Sequence, residues 1–493
     1  MATEASMNNW VFALGSMLVY LVLAFVIGLM AGRKRSFWSV SEYAVADRGL
    51  GLIVIWFMMG GTVFSAFSFL GGPGMAFSQG AASYFVPAYI ALGILPWYLL
   101  GPKVGRIGAR KNFFTMGDFL GDRYQSKALT VIVGVISVLA FIQYLTLQIK
   151  GMAFIFNILT DGVIPYWFGA LLAYGIVVAY VATSGVRGAA WSDVLQGALM
   201  LIVAWTVGYY LVYMLQGSPT EMFTAIEQAK PGFLTIGQEG SQMSAMAYST
   251  VILVSALGFL MWPHLFTKSY TTTEKRIKIT TMAFPLFGIF LVPVLFVGFA
   301  AIGVIAPDAL ESPDQVLPHL VTNYLGANSW LYGLIGAGAL AAAMSSSDAI
   351  THGGSVSLGR DVILPFKPDM DERTQVWIMR IGVIVIGAAA YWLSIFGAAG
   401  IIALLVGAYG SIAQFVPAVY GALIWRRGTK QGAIAGMVVG IGVNYYFQIV
   451  AESTPLDINA GIVGLLCNIV VFVAVSLMTR PVPAALANEY AEA

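Results

Sequence analysis

Long apolar runs, repeated down the whole chain, limit most strongly what this sequence can fold into. From Trp10 onward they alternate with short segments that hold nearly all of the charged residues. A helix needs about 20 apolar residues to cross a bilayer, and on that basis about 13 spans are expected. They lie near 10–32, 53–78, 83–101, 129–158, 166–184, 191–215, 247–268, 282–305, 328–358, 375–396, 399–425, 431–450 and 459–479. Composition agrees: 59% of the residues are hydrophobic and 10% are charged, whereas a soluble globule carries roughly 25% charged residues. The fold class expected is an all-α polytopic membrane protein.

The loops then give an orientation, because cytoplasmic loops carry an excess of Lys and Arg. Alternating them puts all of the 25 Lys and Arg residues on one side, except Lys230 on the other side and Lys150 inside a span. Arg33–Lys34–Arg35, Lys103 to Lys127, Lys268 to Lys278 and Arg426–Arg427 make up most of the basic side. The N-terminus is therefore expected outside a plasma (inner) membrane, with residues 481–493 as a short cytoplasmic tail. The first run has no small-residue cleavage site after it and reads as a retained helix rather than a signal peptide.

Ordinary enzyme chemistry finds no support. One cysteine, Cys467, excludes an internal disulfide and a cysteine-based metal site. The histidines His264, His319 and His352 are scattered, and no HExxH, GxSxG or Walker-type loop occurs. No nucleic-acid partner is expected; the partners implied are a lipid bilayer and a small-molecule solute, with oligomeric state left open.

Two spans carry an interruption. The second reads "MMGGTVFSAFSFLGGPGMAF" and the seventh "ALGFLMWPHLFTKSY". Proline removes a backbone donor and glycine loosens a helix, so each should break near its middle. Their places, five spans apart, suit an inverted five-plus-five repeat, and paired interruptions of this kind point to a transporter binding site.

Four motifs then resemble one family. "SGVRGAAWSDVLQGALM" is similar to the "GG…(T/S)D…Q" signature of the sodium/solute symporters, which include proline, pantothenate, monocarboxylate, sialic acid and glucose carriers. "LGFLMWPHLFTKSY" resembles their "GQPH" stretch, with Trp262 where glutamine is usual. "AAAMSSSDA" and "GALIWRRGTKQGAIAGMVVG" resemble two further family motifs, and the matches run in family order from about Gly49 to Gly440. The resemblance implies a leucine-transporter-type fold: an extra helix (10–32), two inverted repeats (53–215 and 247–425) and two C-terminal helices (431–479). It also implies alternating-access uptake coupled to Na+.

Carried onto this chain, the family's sodium ligands would be the carbonyls of Gly61, Phe64 and Ala342 and the hydroxyls of Ser345 and Ser346. Sodium prefers oxygen ligands, and unwound carbonyls become available where a helix breaks inside protein. Ser347 faces elsewhere and reads as packing. Asp193 matches a family aspartate that joins a second sodium site in some members, with Gln196 on its face as a candidate orienting partner. Asp348 shares a helix face with Ser345 and His352. A carboxylate near midmembrane points to function by default, although Asp348 also fits a purely structural hydrogen bond between helices.

Substrate contacts are expected from the broken helices and the span facing them: Ser65, Phe67, Gln148, Phe259 and Trp262. The proline carrier has an aspartate where Val63 stands here, which counts against direct transfer of proline specificity. The fragments "LQIKGM" and "WPHLFTK" look closest to the monocarboxylate and pantothenate branch, so a small carboxylate is the expected solute, with a proline-like amino acid as the alternative. A channel and a transporter-like sensor are the competing classes. Lys150 admits three roles: pairing with Asp193 or Asp348, attracting an anionic substrate, or snorkelling. Internal pairing is the one expected, because two carboxylates in the apolar zone need partners.

Overall fold

The computed structural model describes residues 2–33, 38–325, 329–397 and 408–492. Lys34, Arg35 and the first part of the 399–425 span lie outside the described residues. Within them, eight helices are long and apolar enough to cross a membrane, or up to eleven when each of three bent pairs is counted as one span. The protein is thus an all-helical, multi-pass membrane protein.

Burial separates an inner helix from an outer shell. The Trp330–Phe366 segment is buried over 94% of its most apolar stretch, against 33% for the N-terminal Asn9–Gly32 helix. A helix polar on one face cannot sit against lipid, so the serine-rich segment lies at the centre of the bundle. The N-terminal helix exposes Val19, Val22 and Val26, as a lipid-facing helix should.

The two expected spans at 166–184 and 191–215 are joined as one helix, Tyr166–Gln216, of 51 residues. At about 1.5 Å per residue this is far longer than a bilayer core of about 30 Å, and it divides into two limbs at Gly185. There φ is 57° and ψ −148°, a conformation open to glycine alone. A Cβ on Gly185 would also lie 2.5 Å from the Tyr43 carbonyl. Just past the kink, Arg187 forms a buried bidentate pair with Glu42 at 2.5 and 3.0 Å, tying the short Val40–Val45 helix to the bend.

Both interrupted spans break, but not where glycine is densest. In the first, the Leu52–Val63 helix ends at Phe64, which is extended (φ −94°, ψ 103°). A π-helical turn over Phe67–Gly71 follows, then the Gly72–Gln79 helix with Pro73 in its first turn, where its missing N–H costs nothing. In the second, the Ala245–Gly258 helix tightens over Phe259–Met261 and breaks at Trp262. Pro263 forces that break, since the residue before proline is driven out of the helical region.

Two boundaries also shift. The expected 83–101 span bends by 54° after Ile94 and continues as Trp97–Lys111. The expected 282–305 span begins earlier, at Glu274, and ends at Ala300. In both, hydropathy marked only the apolar part of a helix whose end is solvated and charged.

Candidate functional site

The inner helix meets the first helix break at two hydroxyls. A helix end leaves carbonyls without partners, and here Ser345 and Ser346 supply them. Ser345 donates to the Gly61 carbonyl, and Ser346 donates to the Thr62 carbonyl at 2.9 Å. All four residues are buried, and Gly61 packs so tightly that a Cβ there would lie 3.1 Å from Asp193 Oδ1 and 3.2 Å from Ser345 Oγ. The glycine is what lets the carboxylate approach.

Asp193 is fully buried, and Ser345 is the side chain within hydrogen-bond reach of its carboxylate. The Ser345 proton nearest to it is committed to Gly61. The Gly61 and Thr62 carbonyls with their serine hydroxyls, and the Asp193 carboxylate beside Gly61, thus line the first break with oxygen, the atom type a hard cation takes. Thr62 was absent from the expected ligands. Phe64 sits at the break with its ring stacked 5.4 Å from Phe287, and Ala342 lies buried one turn before Ser345.

Several expectations change here. Gln196 does not orient Asp193: its Nε2 donates to the Tyr20 hydroxyl of the N-terminal helix at 3.1 Å. Asp348 lies apart from the serines' carbonyls. Its Oδ2 accepts from the Tyr180 hydroxyl at 2.8 Å and has Ser192 Oγ at 3.0 Å. His352 leaves the serine stripe, its Nε2 donating to the Tyr43 carbonyl at 2.9 Å. Ser347 bonds back to the Ala343 carbonyl at 2.7 Å, as packing requires.

Lys150 pairs with neither aspartate. Its Nζ donates to the Gly397 carbonyl at 2.7 Å, just past the end of the Glu372–Phe396 helix. That is the negative end of the helix dipole, which a lysine stabilises. The lysine that does reach the carboxylates is Lys268, 3% exposed and within electrostatic range of both Asp193 and Asp348. Reading it as the start of a basic loop hid it; the only signal was its place six residues past the break at Trp262.

The second break leads into an aromatic cluster. Trp262 packs against Tyr144 at 4.9 Å, Tyr409 at 5.5 Å and His264 at 5.7 Å. Tyr89 meets Tyr409 at 5.5 Å and Phe259 at 6.2 Å. Gln148, one turn from Tyr144, caps the first break: its Oε1 accepts the Ala66 N–H at 2.9 Å. Ser65 Oγ accepts the Phe67 N–H at 3.2 Å. Ser65, Gln148 and Trp262 thus come together, while Phe67 folds over Gly71 and Phe259 faces Tyr89 and Phe284. Tyr89, Tyr144, Tyr409 and His264 were not expected, because single aromatics in an apolar span look like packing. Gln148 Nε2 and His264 Nδ1 are buried without partners, while the Trp262 side chain hydrogen-bonds Tyr409.

Comparison with known proteins agrees with the motifs. Residues 43–440 match the sodium:solute symporter family. The uncharacterized symporter YhjB of Bacillus subtilis (strain 168) is 33% identical over 96% of this chain and 98% of its own length. The sodium/pantothenate symporter of Escherichia coli (strain K12) is 29% identical over 95% and 97%. The solved structure of a Na+-coupled sialic acid symporter in a substrate-bound outward-open state superposes with a TM-score of 0.77. It covers 95% of this chain and 98% of its own at 16% identity, a likeness of fold. The chain belongs to the sodium:solute symporter family: it is a membrane transporter, not an enzyme, and sodium is its coupling ion.

Proposed function

We propose that this protein couples sodium entry to uptake of a small organic carboxylate across a plasma membrane by alternating access. The observation that carries the reading is the meeting of Ser345 and Ser346 with the Gly61 and Thr62 carbonyls beside a buried Asp193. Sodium would take the Gly61, Phe64 and Ala342 carbonyls and the two serine hydroxyls, with Asp193 close enough to share it. The serine hydroxyls, keeping their protons, would turn a lone pair to the ion in place of their present bonds to the carbonyls, so that one ion bridges the inner helix and the broken one.

The carboxylate half rests on a different polarity. Gln148 Nε2 is a donor with no acceptor and Trp262 Nε1 reaches only the Tyr409 hydroxyl, and a buried donor left unpaired costs about 1–3 kcal/mol. A carboxylate between the two breaks would satisfy Gln148, and the aromatic rings would wall its apolar part. The topology in this reading has thirteen crossings. The two limbs of Tyr166–Gln216 count separately, Ala408–Ile424 supplies another, and the N-terminus is outside.

The test is uptake into proteoliposomes under an inward sodium gradient, comparing small monocarboxylates and pantothenate with their neutral amides and with proline. Sodium-dependent accumulation of the acids alone supports the reading. Accumulation of proline alone favours an amino-acid carrier, and gradient-independent, non-saturable flux indicates a channel.

A further inference from the structure

Among the described residues the final helix, Ala484–Ala491, is not a continuation of the span before it. That span ends at Met478, and residues 479–483, with Pro481 and Pro483 among them, separate the two. A helix of eight residues is unstable alone in water, so this one is helical only while docked. Its seat is small, because Ala487 and Tyr490 are the side chains of the helix that are buried. Around them three cations hold it. Lys111 bridges Asp122 at 2.9 Å and Glu489 at 3.1 Å, Arg426 pairs with Glu492 at 2.8 Å, and Lys103 Nζ donates to the Ala491 carbonyl at 2.9 Å.

Those contacts join parts of the chain that are far apart in sequence. Lys103 and Lys111 lie on the Trp97–Lys111 helix, Asp122 on the Met116–Arg123 helix, and Arg426 just past the Val416–Ile424 helix. Tyr490 fills the space among them. Its hydroxyl donates to Asp122 Oδ2 at 2.8 Å, its ring meets Phe119 edge-on at 5.1 Å, and the Arg123 guanidinium lies 5.9 Å from its centre. Phe119 in turn packs on Phe266 at 5.4 Å, and Phe266 meets Trp97 at 5.5 Å and Tyr270 at 5.9 Å. Phe266 belongs to the half of the second broken helix that follows the break at Trp262. The tail tyrosine therefore backs that half-helix through a single phenylalanine.

We propose that the Ala484–Ala491 helix is a latch on the tail face of the transporter: docked, it holds the Pro263–Tyr270 half-helix shut, and its release lets the site open on that face. The proposal rests on the alternating-access reading under Proposed function and assigns one step of it to a named segment. The construction suits a latch. Two buried side chains and a few surface ion pairs anchor the helix, so docking is reversible while the spans beneath stay folded. Docking and helix formation are lost together, which makes the tail two-state. The proline-containing link lets it leave without moving the last span.

Thiol labelling of the full chain tests it. Cys467→Ser removes the single cysteine, and Ser269→Cys places a thiol on the half-helix, where the serine is 2% exposed and accepts from Trp97 Nε1 at 2.8 Å. Sealed vesicles are labelled from each face with a membrane-impermeant maleimide, without organic solute. Adding Tyr490→Ala should speed labelling from the tail face by at least about fivefold and leave labelling from the other face unchanged. Tyr490→Phe keeps the ring and should stay closer to the parent. Glu489→Lys with Glu492→Lys weakens docking without removing buried packing, should act in the same direction as Tyr490→Ala, and decides the matter if that variant does not fold. A parent labelled as fast as its folded variants, or variants labelled faster from both faces alike, overturns the latch. Labelling needs no transported solute, so a chain that shows the tail-face effect but no sodium-driven uptake would keep the latch and lose the sodium–carboxylate reading.

Discussion

The two helix breaks open onto regions of opposite character. Around the first, what lines the break is oxygen: the Asp193 carboxylate, next to carbonyls of Gly61 and Thr62 that only two serines cover. Around the second it is nitrogen: Gln148 Nε2 and His264 Nδ1, set among aromatic rings. In the proposed reading the first region takes the cation and the second the anion. The lesson is that coupling needs no shared ligand. The break at Phe64 and Ser65 is short, with the serine contact to Gly61 on one side of it and the Gln148 contact to Ala66 on the other. In the proposed reading, filling either region would stiffen the break that the other depends on, so that binding at one site lowers the ordering cost at the next.

The difference between the regions can be broken most severely at Asp193. Asp193→Asn keeps shape but removes the charge, and losing one member of a buried charge set costs about 3–5 kcal/mol. Sodium-driven uptake should fall by roughly a hundredfold or more, while the protein still inserts and elutes as the parent does. A well-folded variant with parental sodium dependence would take Asp193 out of the cation region. At the other region, Gln148→Glu retains the oxygen that caps Ala66 but replaces the free donor with an acceptor. Loss of a hydrogen bond to a charged group is worth about 1.5–3 kcal/mol. Affinity for acids should therefore drop by at least about tenfold, with binding of neutral amides and of sodium unchanged. Equal loss for acid and amide would show that the nitrogens do not read a carboxylate.

Smaller effects separate the regions further. Ser346→Ala removes one oxygen at a cost of about 1 kcal/mol, so half-saturation by sodium should rise several-fold while solute affinity at saturating sodium stays put. The smallest effect belongs to Lys150→Met. The side chain is only partly buried and bonds a carbonyl at a helix end, so uptake should remain close to parental and the melting temperature should drop by a few degrees at most. A large loss of sodium dependence there would reinstate Lys150 as a site residue.

The cation region was legible because its chemistry is written in consecutive residues: three serines in an apolar run, and two spans with helix breakers. Ser345 and Ser346 could be placed beside the first break from spacing and motif because their helix is continuous. Thr62 was missed because which carbonyl a break frees depends on where the helix stops, and Phe64 rather than the glycines stops it. Lys268 was missed for the opposite reason to Lys150. Hydropathy ends a span at its first charge, so a lysine that reaches back into the bundle reads as loop. A lysine well inside a span reads as buried even when its stem carries the ammonium to a helix end. The aromatic region is assembled from four separate segments, at Tyr89, Tyr144, Trp262 and Tyr409, and no local pattern joins them.

Sodium affinity of the Ser345→Ala/Ser346→Ala double variant, read by direct 22Na+ binding to the purified protein, bears most closely on whether the first break is the sodium site. With both hydroxyls gone, affinity should fall by about tenfold to a hundredfold, and carboxylate binding at saturating sodium should persist. A double variant that folds and binds sodium with the parent's isotherm would place the ion elsewhere in the protein.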